Sequence, residues 1–197
     1  MAPTLFEVKI YSDTICPWCY IGLKTLEQAI SLYQRTYPDG SKDTFHITWS
    51  PYYLDPLAPT PGILASTRIA QKNGIEHAEG IKMRLNALLY LAGLKGDEVH
   101  MALAKELFRA HFEGDVDVSS HDDLIEAGVS VGLVREEIKE WLDCGNGGPE
   151  VDYEAQRARD SGVNSVPTFE INDRRLEGAE DPSAFYELFA SIKAADP

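Results

Sequence analysis

Alternating apolar and polar residues define the first element of the chain. Residues 6–11 alternate in this way, which predicts a β-strand with one buried face. From Pro17 to about Thr36 the apolar residues recur every three or four positions, which predicts a helix. Proline suits the first position of a helix, because its missing N–H would have no partner there. Residues 45–52 are rich in aromatic and β-branched side chains and predict a second strand.

Helical spacing dominates the middle of the chain. We predict no strand between residues 61 and 148, and helices at residues 66–73, 76–91, 98–112, 120–129 and 135–142. Ser119 or Ser120, and also Asp97, stand where the N-caps of two of these helices are expected. The Gly-Asn-Gly-Gly-Pro run at residues 145–149 then breaks the pattern.

A second set of strand signals follows this break. We predict a helix at residues 150–160, strands at 166–172 and 174–178, and a last helix opening at Asp181-Pro182. Asn172-Asp173, between the two strands, is typical of a tight turn. The order is therefore β-α-β, a helical block, and α-β-β-α, which predicts an α/β fold. The length of 197 residues fits one domain, or one domain carrying a large insertion.

Composition and charge narrow the possible partners. The net charge is −14, so the chain repels phosphate backbones and anionic lipid, and we expect neither nucleic acid nor a membrane as a partner. No apolar run reaches the roughly 20 residues of a membrane span, and the first residues lack the pattern of a secretory signal. The three cysteines form one close pair plus Cys144, a pattern that favours a reducing compartment. We therefore expect a cytoplasmic protein.

The strongest chemical signal is the pair Cys16 and Cys19, which follows the first predicted strand and opens the predicted helix. Two cysteines at this spacing and position indicate a redox pair. Cys16 falls at or near the N-cap, where free N–H groups and the helix dipole favour a thiolate. Because the thiolate is the nucleophile in disulfide exchange, Cys16 is the candidate attacking thiol. Cys19 is the candidate resolving thiol, and Trp18 between them is a candidate substrate contact.

Pro167 is the candidate for the second half of the site. An edge strand is the ordinary interpretation of a proline at a strand start, because proline lacks a donor N–H. With a cysteine pair upstream we favour another interpretation, in which a cis peptide before Pro167 places the Val166 backbone beside the Cys16 sulfur. That backbone edge would then pair with an extended substrate. Asp13 and Lys24 are candidates for tuning thiol pKa values, and a plain turn residue is the equal alternative for Asp13.

A zinc site competes with the redox interpretation. Such a site needs about four ligands. Beyond the close pair, the chain offers Cys144 and five scattered histidines, with no second close pair. We therefore expect no bound metal, and we interpret Cys144 as a passive thiol, with a redox role as its alternative.

The sequence resembles a known family in four segments. These are Cys-Pro-Trp-Cys-Tyr-Ile-Gly at residues 16–22, Val-Pro-Thr-Phe at 166–169, Leu-Glu-Gly-Ala at 176–179, and the helical stretch at 107–114. They are similar to the DsbA-like proteins of the FrnE branch, whose relatives include 2-hydroxychromene-2-carboxylate isomerases and kappa-class glutathione transferases. The branch usually carries an Asn-Thr…Ala-His-Arg pattern in the helix around Asn86, whereas this chain has Asn-Ala-Leu-Leu-Tyr at residues 86–90, so the His-Arg part is absent.

The resemblance covers nearly the whole chain and implies a specific architecture. This is a thioredoxin fold with an all-helical domain inserted between the N-terminal β-α-β and the C-terminal α-β-β-α elements. Residues 1–60 and 149–197 would form the thioredoxin-like domain and residues 61–148 the insertion. The resemblance also implies that Pro167 is cis and faces Cys16.

Three functions remain open at this point. The first is a thiol–disulfide oxidoreductase acting on protein or small-molecule disulfides. The second is a glutathione-dependent isomerase or transferase acting on a small aromatic or polyketide-like compound. Those relatives usually have serine where this chain has Cys16, so two retained thiols favour disulfide exchange. The third is a non-catalytic holdase, against which the intact cysteine pair argues. We expect no bound cofactor, glutathione as the potential co-substrate, and a monomer or homodimer.

Overall fold

The computed structural model describes residues 2–53, 75–114 and 120–195, without the side chains of residues 75–83. The chain divides into two compact units. One comprises Met1–Tyr52 with Ala158–Pro197, and the other is Tyr53–Arg157. The predicted boundary at residues 60 and 61 lies outside the described residues, so the predicted domain limits stay a prediction.

A four-stranded sheet forms the centre of the first unit. Its strands are β1 (Leu5–Ser12), β2 (Thr44–Pro51), β3 (Thr168–Ile171) and β4 (Arg174–Glu177), in the order β2-β1-β3-β4. β1 runs parallel to β2 and antiparallel to β3, and β3 is antiparallel to β4. Phe6, Val8 and Ile10 of β1 are all buried, so the predicted alternation does mark the face that packs on the core.

Seven α-helices occur in the described part of the chain. They are α1 (Pro17–Thr36), α2 (Ile75–Leu94), α3 (Asp97–Phe112), α4 (His121–Ser130), α5 (Arg135–Asp143), α6 (Gly148–Asp160) and α7 (Pro182–Ala195). Of these, α1 and α7 pack against each other in the first unit. The predicted order of elements is confirmed there, whereas the predicted helix at residues 66–73 lies outside the described residues. Among the described residues, no helix has the length and apolar character needed to cross a membrane.

Aromatic side chains join the sheet to its two helices. Phe6 of β1 contacts Tyr33 of α1 and Phe189 of α7, with ring centroids 5.5 and 5.3 Å away. Phe45 of β2 stacks on Phe6 at 4.7 Å. Such rings bury large apolar areas, so this cluster holds the sheet and both helices in place.

A fully buried ion pair lies beside this aromatic cluster. Lys193 Nζ of α7 lies 2.7 Å from Asp43 Oδ1, and both side chains are at most 1% exposed. The Asp43 carboxylate also accepts hydrogen bonds from the Tyr33 hydroxyl, at 2.9 Å, and from the Thr4 N–H, at 2.8 Å. Lys193 donates a second bond to the Ala2 carbonyl at 2.6 Å. The network therefore ties the N-terminal segment to the last helix.

The second unit is helical in its described part. The predicted cap at Ser120 is confirmed, because its side chain accepts the N–H of Asp123 at the start of α4. The predicted cap at Asp97 is wrong, since the N-cap of α3 is Gly96 and Asp97 is the first helical residue. Gly96 has a φ of 121°, a value that glycine adopts readily. The helix therefore begins at Asp97, one residue earlier than predicted.

Candidate active site

Cys16 is the N-cap residue of α1, and Pro17 follows it in the first turn. A tight turn connects β1 to this cap. The Cys16 N–H donates to the Asp13 carbonyl at 3.0 Å, and the Asp13 carboxylate accepts the Ile15 N–H at 3.2 Å. Asp13 is 1% exposed. The hydrogen bonds of a turn at Asp13 are therefore present between β1 and the N-cap of α1.

The two thiols are reduced and have very different acidities. The pKa of Cys16 is lowered to about 7, chiefly by a hydrogen bond from the Cys19 side chain and also by hydrogen bonds from the N–H groups of Cys19 and Trp18. Burial and the Asp13 carboxylate oppose this fall. For Cys19, burial raises the pKa well above its usual range, and the hydrogen bond to Cys16 raises it further. At neutral pH a large share of Cys16 is therefore thiolate, while Cys19 is a protonated thiol.

The Val166 carbonyl lies beside Cys16. The Val166–Pro167 peptide bond is cis, and the Val166 carbonyl oxygen lies 4.0 Å from the Cys16 Sγ. The cis bond is the geometry that the family resemblance implies. The Pro167 carbonyl accepts the Gly178 N–H at 2.7 Å, which continues the pairing of β3 with β4.

Gly22 on α1 allows this close approach. A Cβ atom at this position would lie 2.9 Å from Pro167 Cγ and 3.1 Å from Phe169 Cζ. Real Cβ atoms do not come within 3.0 Å of another heavy atom, so a larger residue would push α1 and the Pro167 segment apart. Sequence reasoning assigned no role to Gly22, although it closes the Cys-Pro-Trp-Cys-Tyr-Ile-Gly segment.

The remaining predicted site residues occupy the exposed side of α1. Trp18 is 62% exposed and Ile21 is 47% exposed, so an apolar surface lies on the same helix as Cys16. Lys24 Nζ lies 5.0 Å from the centroid of the Tyr20 ring. The roles predicted for Trp18 in substrate binding and for Lys24 in pKa tuning stay predictions.

Two residues next to the cysteines escaped the sequence analysis. Ser12 and Thr14 are 1% and 3% exposed, and in the part of the chain that is described neither hydroxyl has a hydrogen-bond partner. The Ser12 hydroxyl and the Asp13 N–H both act to lower the pKa of Cys19, against the larger effect of burial. The available signal is the polar run Ser-Asp-Thr at residues 12–14, between the first predicted strand and the predicted helix.

Cys144 and the five histidines are separated in the sequence from the pair Cys16 and Cys19. Cys144 is an exposed free thiol at the C-cap of α5. Among residues 2–53, 75–114 and 120–195, no group of three or more His, Cys, Asp or Glu side chains could hold a metal ion.

Comparison with known proteins decides the family. The family model described as DSBA-like thioredoxin domain matches residues 7–190. The chain belongs to this family. A curated relative, the uncharacterized protein YwbO of Bacillus subtilis strain 168, is 26% identical over 91% of this chain and 93% of its own length.

Two solved structures have the same fold as this chain. The probable DsbA oxidoreductase SCO1869 from Streptomyces coelicolor superimposes with a TM-score of 0.76 at 23% identity, covering 98% of this chain and 92% of its own. A 2-hydroxychromene-2-carboxylate isomerase superimposes with a TM-score of 0.64 at 17% identity, covering 96% and 95%. The predicted resemblance and the α/β thioredoxin fold are thus confirmed, and the FrnE branch stays a prediction.

Proposed function

We propose that this DsbA-like protein is a thiol–disulfide oxidoreductase with Cys16 as nucleophile and Cys19 as resolving thiol. The observation that carries the proposal is the asymmetry of the pair. Cys16 is an N-cap residue with a pKa of about 7, whereas the buried Cys19 keeps its proton. An attacking thiol works best when its pKa is near the ambient pH, because it is then both ionised and nucleophilic.

The reaction proceeds in two exchanges. The Cys16 thiolate attacks a substrate disulfide and forms a mixed disulfide, while the other substrate sulfur departs with the bonding electron pair. Cys19 then attacks the Cys16 sulfur, the mixed disulfide breaks, and the second substrate sulfur departs. The proton of Cys19 passes to solvent or to that departing sulfur. Two electrons have then moved from the protein to the substrate, and a Cys16–Cys19 disulfide remains.

Reduction is the direction that we propose for this enzyme. A strongly acidic nucleophilic cysteine, as in DsbA with a pKa of about 3.5, stabilises the reduced protein and makes it an oxidant. A pKa of about 7 for Cys16 instead lies near the thioredoxin value. The dithiol would be regenerated by a low-molecular-weight thiol such as glutathione, two molecules of which are oxidised for each disulfide reduced. This direction agrees with the cytoplasmic location that the cysteine pattern predicts.

The substrate is proposed to lie along the Val166 backbone. An extended segment with a disulfide can pair with that backbone while its sulfur meets Cys16, in the way that peptides add to a sheet edge. The exposed Trp18 and Ile21 offer an apolar surface for neighbouring substrate side chains. Both protein and small-molecule disulfides fit this description.

Insulin reduction with glutathione as the reductant tests the proposal. We expect Cys16→Ser to abolish turnover, and Cys19→Ser to trap a mixed disulfide on Cys16 that mass spectrometry detects. Cys144→Ser is the matched control and should reduce insulin at the wild-type rate. Full activity of Cys16→Ser would overturn the proposal. If Cys19→Ser kept full glutathione-dependent turnover of a small aromatic compound while insulin stayed intact, a glutathione-dependent isomerase or transferase would replace it.

A further inference from the structure

Ser12 is a buried polar residue that the two-cysteine reaction leaves unused. It is the last residue of β1, it is 1% exposed, and in the described residues its hydroxyl has no hydrogen-bond partner. Leaving a buried hydroxyl without a partner is unfavourable, and unpaired groups of this kind are uncommon in folded proteins. An unpaired hydroxyl next to a reactive pair therefore calls for a chemical explanation.

The Ser12 hydroxyl acts on the Cys19 thiol. A hydrogen bond from Ser12 favours the thiolate form of Cys19 and so lowers its pKa, as does the N–H of Asp13. In the dithiol state Cys19 is protonated and its side chain is hydrogen-bonded to Cys16. In this state the Ser12 hydroxyl has no hydrogen-bond partner among the described residues, so it is available to a thiolate that forms at Cys19.

The resolving step creates the charge that is missing in the dithiol. Once Cys16 is bound to substrate, Cys19 must lose its proton before it can attack. Cys19 is 2% exposed, so water can solvate the developing thiolate only poorly. Burial disfavours this thiolate, and a hydrogen bond from the Ser12 hydroxyl would offset part of that cost.

We propose that the Ser12 hydroxyl is a catalytic hydrogen-bond donor to the Cys19 thiolate during resolution of the mixed disulfide. In this step the bond between Cys16 and the substrate sulfur breaks and the Cys16–Cys19 bond forms. The electron pair leaves on the substrate sulfur, and the Cys19 proton goes to solvent or to that sulfur. The inference rests on the proposed function and adds the group that makes a buried resolving thiol reactive.

The test is a stopped-flow reaction of the reduced protein with a chromogenic aromatic disulfide. All variants carry Cys144→Ser, because the exposed Cys144 thiol would otherwise react as well. The first equivalent of coloured thiolate reports attack by Cys16, and the second reports attack by Cys19. The variant is Ser12→Ala. The matched control is Ser50→Ala, which removes another buried serine hydroxyl, from the adjacent strand β2.

We expect Ser12→Ala to slow the second phase about tenfold at neutral pH and to leave the first phase unchanged, because a hydrogen bond to a charged sulfur is worth about one such factor. The pH profile of the second phase should shift upward by about one unit, so the rate recovers in alkali. Cys16 and Asp13 are the titratable groups that act in this site, and neither is altered. Ser50→Ala should match the wild type in both phases.

Four outcomes would overturn one claim or the other. A second phase with the wild-type rate and pH profile in Ser12→Ala would refute the role of Ser12 alone. A slowed second phase that stays slow at every pH, or a reduced Ser12→Ala protein less stable to urea than wild type, would show that the hydroxyl is structural. If the parent protein itself released no second equivalent, the proposed two-cysteine function would fail with it.

Discussion

Removing one partner of the buried ion pair gives the most quantitative prediction about the fold. Lys193→Met leaves the Asp43 carboxylate, which is 0% exposed, without its cation. Breaking a buried pair in this way typically costs about 3–5 kcal/mol, because a buried charge is left uncompensated. Two neutral hydrogen bonds to Asp43 remain, from Tyr33 and Thr4, so we expect a loss near the lower end of that range.

Urea denaturation of a double-mutant cycle measures this loss. The cycle comprises Lys193→Met, Asp43→Asn and the double variant. We expect the double variant to lose less free energy of unfolding than the two single variants added together, since neither charge is then left unpaired. Lys42→Met is the control, because Lys42 lies 2.8 Å from Asp39 in an equally short but exposed pair. Exposed pairs contribute little, so no measurable change is expected there.

The same pair sets a pH dependence of stability. Burial acts to raise the pKa of Asp43, but hydrogen bonds from Lys193, Thr4 and Tyr33 outweigh it, and the pKa is lowered. A carboxyl with a lowered folded-state pKa stabilises the protein above its unfolded value of about 4, and this stability is lost as the pH falls through the folded value. Additive losses in the cycle, or an unchanged stability of Lys193→Met, would refute this account of the pair.

Three further predictions concern the active site. Gly22→Ala should lower the free energy of unfolding by about 1 kcal/mol, because a clash with Pro167, worth about 1–3 kcal/mol, exceeds the gain in helix propensity. It should also slow insulin reduction. Urea denaturation measures the change in stability, and the insulin assay measures the change in activity. Asp13→Asn should lower the pKa of Cys16 further, since the Asp13 carboxylate raises it. A thiolate titration in which the pKa of Cys16 rises in this variant would contradict the prediction. Trp18→Ala should raise KM for insulin and leave the pKa of Cys16 in place; an unchanged KM would exclude Trp18 from binding.

Local patterns in the sequence were sufficient to predict the elements around the site. The alternation in β1 and the spacing in α1 place both within a residue of their observed limits, because each depends on neighbours along the chain. Cys16 at the N-cap follows from the same local rules. The predicted break at residues 145–149 extended too far, since α6 begins at Gly148 and holds a proline in its first turn, where no N–H is needed.

Long-range contacts could not be predicted in the same way. Asp43 and Lys193 lie 150 residues apart, and each alone has the sequence signal of an ordinary surface charge. Ser12 looks like a turn residue in the sequence, and its effect on the pKa of Cys19 arises only in the folded chain. The close approach of Gly22 to Pro167 likewise exists only once α1 packs on β3, so the local sequence around each residue carries no sign of it.

A thiolate titration of Cys16 tests the central claim most directly. Ultraviolet absorbance of the reduced protein, in a Cys144→Ser background, would be followed with pH and compared with Cys16→Ser. We predict one transition near pH 7 that is lost in Cys16→Ser, because the N-cap position and the Cys19 thiol stabilise the Cys16 thiolate. A first transition at the ordinary cysteine value of about 8.5, or one that survives in Cys16→Ser, would contradict the assignment of Cys16 as the nucleophile.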